Sequence, residues 1–200
     1  MSNVELNNWF PTTIGISYYP NHFREKDKLI EHCYDIKSKV KPGGRGWVSN
    51  ETYNTSEDQH DIVSDDRFIN LNKFVVESVK NYLDQVSLRK KTFLADGWLN
   101  VYNKHNYQET HRHNGYVISC IYFLKVPENS AGTVFHSPYK EMVINDNDYR
   151  DINKRPSGHL IYKAEESKLL IFRSYLEHGV ELHKTDEDRI TLAYNFKEVM

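Results

Sequence analysis

The chain has 200 residues, long enough for a single domain that buries its own core without disulfide or metal staples. Its formal net charge is -2 and it has no dense Lys/Arg run, which argues against nucleic acid or an anionic membrane as a standing partner. No apolar run nears the ~20 residues that cross a bilayer, no basic-then-apolar leader opens the sequence, and the two cysteines, Cys33 and Cys120, read as buried free thiols in a reducing, cytoplasmic setting.

Residues 9–19, WFPTTIGISYY, are apolar and β-branched and read as a strand closed by Pro20-Asn21. Residues 27–40 carry Leu29, Ile30, Cys33, Tyr34 and Ile36 at near-helical spacing, and Pro42-Gly43-Gly44 ends that helix. The polar stretch 46–65 reads as a long surface loop. A second helix is marked by one apolar stripe, Phe68, Leu71, Phe74, Val75, Val79 and Leu83. After Lys91 the texture changes. TFLADGWLNVYN, YVISCIYFLKV, GTVFHSP, GHLIYKA, KLLIFR, VELH and ITLAYNFK are short Val/Ile/Tyr/Phe-rich runs between turns, the pattern of a β-sandwich or barrel. The charged residues 139–156 read as an insertion between strands. The expected organisation is one domain over 1–200: a strand, helices and a long loop over 1–90 support a β core over 91–200.

Chemistry concentrates in that β half. His111 and His113 lie in the polar loop between two apolar runs, 98–102 and 116–124. Residues two apart on an extended chain share a face, so His-x-His aims two imidazoles at one point, half of a transition-metal site. The third candidate ligand is His178, at the end of the apolar strand in KLLIFRSYLEHGV. Three ligands on one side of an ion leave its other positions open, which suits non-haem Fe(II). Arg189 opens the last strand eleven residues later; a buried guanidinium there could grip a carboxylate of a 2-oxo acid through two parallel hydrogen bonds. The plain alternative is a strand-end charge paired with Asp186, Glu187 or Asp188. His105, His136, His159 and His183 read as structural or solvated, and Asn100 and Ser119 as solvent-facing strand positions.

The order HRHNGYVISCIYFL, GTVFHSP, LLIFRSYLEHGV and RITLAYNF resembles the Fe(II)/2-oxoglutarate-dependent oxygenases of the prolyl-4-hydroxylase-like branch. Phe10-Pro11-Thr12-Thr13-Ile14, the strand from Trp98 to Tyr102, and the run from Ser119 to Pro127 resemble a bacterial and phage subgroup of that superfamily. The resemblance implies a mainly β fold, a double-stranded β-helix (jelly-roll) core with N-terminal supporting helices. It implies Fe(II) held by His111 and His178, with His113 the candidate third ligand at the position between them, 2-oxoglutarate bound by Arg189 and Tyr102, dioxygen as co-substrate, and ascorbate as a candidate cofactor. The implied reaction hydroxylates an unactivated C–H of a peptide or small molecule, a prolyl side chain among the candidates. By analogy, loop 46–65 would be a lid.

The sequence departs from the family pattern at His113, where a carboxylate is usual. Either His113 ligates and makes a three-His site, or it points away and water or Glu109 takes the position. Two rivals follow: a cupin-like three-His enzyme that does not use 2-oxoglutarate, and a jelly-roll that has lost its metal and acts as a binding module.

Overall fold

The computed structural model describes residues 12–43, 46–49, 51–56, 59–139 and 158–199. In chain order these form β1 (Ile14–Tyr18), α1 (His22–Lys39), β2 (Tyr53–Asn54), a 3-10 turn (Asp66–Phe68), α2 (Ile69–Gln85), β3 (Thr92–Tyr102), β4 (Gln108–His111), β5 (Ile118–Lys125), β6 (Thr133–His136), β7 (His159–Tyr162), β8 (Lys168–Arg173), β9 (His178–Val180) and β10 (Arg189–Glu198). Every pairing is antiparallel. A six-stranded sheet runs β1-β8-β5-β10-β3-β2 and a four-stranded sheet runs β4-β9-β6-β7. This is the expected mainly β, jelly-roll architecture with two helices beside it.

Side-chain alternation decides what the large sheet presents to each side. On β10, Ile190, Leu192, Tyr194 and Phe196 point to the helices, and on β3 so do Leu99 and Val101. They pack with Leu29, Cys33 and Ile36 of α1 and with Leu71, Val75, Val79 and Leu83 of α2. The opposite face meets the small sheet, where Ile121, Phe123, Leu170 and Phe172 pack with Phe135 and Leu176. On that inner face β3 and β10 carry Trp98, Asn100, Tyr102, Arg189, Thr191 and Ala193 instead of an unbroken apolar row, and these line a pocket. One end of the space between the sheets is therefore filled with hydrocarbon, and the other end is polar.

Several boundaries differ from the sequence reading. Helix α1 starts at His22, five residues early, because His22 lies on the same buried stripe as Leu29, Cys33 and Ile36 and its Nδ1 meets Tyr122 Oη at 2.6 Å. The stretch 46–65 is not wholly a surface loop: Ser49, Thr52, Tyr53, Asn54 and Thr55 are buried, and β2 pairs with β3 as an edge strand. VELH is not the strand; the strand there is β9, which begins at His178. Polar β4 went unpredicted. Asn100 and Ser119 are buried, since β3 and β5 are covered on both faces. Cys33 and Cys120 are buried free thiols, as expected. The expected insertion, beyond Tyr139, and the expected strand start at residues 9–11 lie outside the described residues.

Candidate active site

Strand pairing brings the first two imidazoles together. His111 on β4 sits directly opposite His178 on β9, and opposed residues of an antiparallel pair project to the same side. Gln108 pairs with Val180, so three residues on β4 span the distance of two on β9: a β-bulge. The extra residue lets Gln108 and His111, an odd number apart, line the same pocket. His113 follows β4, its backbone N–H donating to the Ser174 carbonyl at 3.0 Å. Ring centroids are 4.3 Å apart for His111–His178 and 5.1 Å for the other two pairs. One ligand atom from each of the three lies within 4.8 Å of the others.

The hydrogen bonds select which nitrogen is free. His111 Nδ1 donates to the Glu109 carbonyl at 2.8 Å and His178 Nδ1 to the Leu176 carbonyl at 3.0 Å, each acceptor two residues upstream. His113 Nδ1 meets Asn195 Oδ1 at 2.6 Å. A neutral imidazole has one N–H, so with every Nδ1–H engaged, each Nε2 keeps its lone pair for an ion. Burial lowers the pKa of all three: His113 is pushed down to about 4 even though its hydrogen bond to Asn195 opposes the shift, and His111 and His178 also fall below the ordinary value. The triad is thus neutral and ready to ligate at physiological pH. Glu109 does not join it. Its carboxylate accepts from the Val48 N–H at 2.7 Å, the Ser49 N–H at 3.2 Å and Gln108 Nε2 at 2.9 Å, and it also takes the Ser49 hydroxyl. Those bonds hold segment 46–49, so that Trp47 lies against His111 with ring centroids 4.8 Å apart.

Arg189 stands on the floor of the same pocket, 1% exposed. Its cross-strand partner is Tyr102, whose ring lies 4.6 Å from the guanidinium carbon; Phe123 lies at 5.3 Å. Nε and Nη1 have no hydrogen-bond partner. The exposed strand-end alternative fails because Arg189 is buried; Asp186 pairs with Lys104, and Asp188 accepts from Tyr34 and Asn103. A buried cation with unused donors is costly unless something anionic completes it.

The family described as "Putative 2OG-Fe(II) oxygenase" matches residues 96–195, which contain the three histidines, Tyr102 and Arg189. The chain belongs to that family. As a 2OG-Fe(II) oxygenase it uses Fe(II) and 2-oxoglutarate, and the donor set fits them: three neutral nitrogens converge, beside a cation that lacks an anion. The oxygenase resembles a Pseudomonas putida prolyl-4-hydroxylase at TM-score 0.62 and 11% identity, covering 94% of each chain. It resembles HygX from Streptomyces hygroscopicus with nickel, 2-oxoglutarate and hygromycin B bound, at TM-score 0.61 and 11% identity over 93% of this chain and 83% of that one. A Trichoplax adhaerens prolyl hydroxylase in complex with a peptide fragment of hypoxia inducible factor gives TM-score 0.61 and 13% identity over 92% and 83%. At these identities the likeness is one of fold. No curated protein matches the sequence.

All five predicted site residues of the oxygenase meet in one pocket. Sequence reasoning missed Asn195 and Ser174 as supports of His113, and Trp47 as the cover of His111. Asn195 lies six residues after Arg189 on the same face of β10, a period-2 signal available once Arg189 was chosen.

Proposed function

We propose that this oxygenase hydroxylates an unactivated C–H bond, with His111, His113 and His178 as iron ligands and with Arg189 and Tyr102 binding 2-oxoglutarate. The observation that carries the reading is the buried guanidinium with unpaired Nε and Nη1 in the pocket where three imidazoles converge. When bound, the iron supplies oxidation of the substrate C–H by dioxygen, coupled to conversion of 2-oxoglutarate into succinate and carbon dioxide. The protein's own part is to hold, orient and exclude. Nδ1 bonds to the Glu109 carbonyl, the Leu176 carbonyl and Asn195 fix each imidazole rotation, so the site is organised before anything binds. Arg189 offers its donors to the far carboxylate, while the Tyr102 and Phe123 rings keep water from competing for it.

Substrate would approach from the open side of His111 and His113, a cleft of about 390 Å³ whose walls include Trp47, Trp98, Arg112 and Tyr116. The likeness to prolyl hydroxylases supports a peptidyl side chain, prolyl first, as the substrate class. A second reading rests on His113 itself: three neutral histidines would also serve a cupin-like enzyme without 2-oxoglutarate. Arg189→Ala separates them. Under anaerobic conditions, wild-type protein with Fe(II) should develop a visible charge-transfer band on adding 2-oxoglutarate, and Arg189→Ala should need at least ~30-fold more of it, the cost of leaving a carboxylate without its buried partner. Equal 2-oxoglutarate dependence in the two proteins would rule this reading out.

A further inference from the structure

We infer that Asn195 is the residue that makes His113 a metal ligand, by fixing its tautomer through a one-way chain of hydrogen bonds that joins two strands and a turn. The inference rests on the three-His reading above. The other two imidazoles are oriented by backbone carbonyls two residues upstream, an arrangement that needs no particular side chain. His113 has passed the end of β4 and has no such carbonyl; the partner of its Nδ1 is a side chain from β10, Asn195 Oδ1 at 2.6 Å. An amide presents either an acceptor oxygen or a donor nitrogen. If nitrogen faced the ring, Nδ1 would have to accept, the proton would sit on Nε2, and no lone pair would remain for an ion.

In the structure the amide oxygen faces the ring, and the neighbouring hydroxyls suit it. Ser119 Oγ lies 2.8 Å from the same Oδ1, 2.8 Å from Ser174 Oγ and 3.2 Å from His113 Nδ1. A consistent assignment gives one proton to each donor: Ser174 donates to Ser119, Ser119 to Asn195 Oδ1, and His113 Nδ1–H to the same oxygen. Ser119, Ser174 and Asn195 are 1%, 0% and 3% exposed, so the chain is shielded from exchange with solvent. Ser174 closes the circuit through its backbone, its carbonyl accepting from the His113 N–H at 3.0 Å and its own N–H donating to the Val117 carbonyl at 3.2 Å. β5, β10 and the turn after β8 thus all bear on one ring. Asn195 is a positioning residue, acting on the metal through His113, and outer partners of ligating histidines typically carry 10–100-fold in metal affinity.

The test titrates the purified 200-residue chain with Co(II) alone under anaerobic conditions, reading the visible ligand-field spectrum as well as affinity. We expect Asn195→Ala to lose 10–100-fold in Co(II) affinity and to shift its spectrum toward that of His113→Ala, while Asn195→Asp, which keeps an acceptor oxygen in place, restores the wild-type spectrum. Ser119→Ala, a gentler change, should cost about 2–5-fold. Thermal unfolding of each metal-free variant accompanies the titration, and if Asn195→Ala does not fold, Ser119→Ala and Asn195→Asp decide. Wild-type affinity and spectrum in Asn195→Ala, alongside loss in His113→Ala, would overturn the inference and leave the three-His reading standing. Wild-type affinity in His113→Ala would instead overturn the three-His reading, and this inference with it.

Discussion

At His113 the chain has a neutral imidazole where the family it resembles has a carboxylate, and at Glu109 it has a carboxylate two residues before His111, the first candidate ligand. The two facts invite the idea that Glu109 compensates. Burial would push the Glu109 carboxyl up, but the Ser49 hydroxyl and the Val48 and Ser49 amides outweigh it and hold the pKa below the usual range, so the charge is already satisfied. Its work is to hold Trp47 over His111. Glu109→Ala should therefore leave Fe(II) or Co(II) affinity within about threefold of wild type while lowering turnover, as measured by metal titration and succinate release. A metal affinity lost by two orders of magnitude would make Glu109 a ligand after all. By contrast, His178→Ala should abolish stable metal binding, since it leaves two donors of three. Circular dichroism should still report a folded protein, because the cores on both faces of the large sheet do not depend on the ion.

Between residue and element stands Gly179, which follows the distal histidine on β9. A Cβ added there would lie 2.8 Å from the Gln108 carbonyl and 3.3 Å from Glu109 and Thr110 backbone atoms, so β4 could not keep its distance from β9. Those strands carry His111 and His178 in register, and pushing them apart separates the two imidazoles. Gly179→Ala should cost about 1–3 kcal/mol of stability, as overpacking does, and should weaken metal binding by more than the loss of stability explains. Urea unfolding and metal titration of the same preparation check both; an unchanged variant would mean that the bulge in β4 absorbs the added methyl. The strands that define this geometry were the hardest to read. β4 (QETH) is polar, β9 has three residues, and β2 has two, so none carries a hydrophobic period; their pairing is a property of the sheet and not of the segment. The long strands and α2 were legible because their apolar spacing matches their burial. His111, His178 and Arg189 were legible because motif order carried them, whereas Asn195 and Ser174 act only through contacts that the fold creates.

Across the whole molecule, burying three uncharged imidazoles, one of them with its pKa pushed down to about 4, makes stability depend on pH in a defined direction. In the unfolded chain each titrates near 6.5. Above about pH 7 both states are neutral and the groups contribute no pH dependence. As pH falls below about 6.5 the unfolded chain takes up protons that the folded chain refuses, so the free energy of unfolding falls, and it keeps falling until His113 itself protonates near 4. Metal-free protein should therefore lose on the order of 2 kcal/mol or more between pH 7 and pH 5, and bound Fe(II) or Co(II) should deepen the dependence because protons compete with it. A carboxylate adds a separate, lower window. Burial pushes Asp65 up, but hydrogen bonds from Arg67 and His60 outweigh it and hold the carboxyl at about 2, so the stability it lends is present above about 4 and lost as pH falls through 2. Because both helices and the large sheet share one core, we propose that the chain unfolds as one domain. Urea titrations at pH 8, 7, 6 and 5 test both points when tryptophan fluorescence, which reports near the site through Trp47 and Trp98, is followed with far-ultraviolet circular dichroism. The two signals should move together, with a midpoint constant from pH 8 to 7 and falling from 7 to 5. A midpoint flat down to pH 5 would mean the triad is not held neutral, and a fluorescence transition preceding the loss of secondary structure would mean the site end of the sandwich opens on its own.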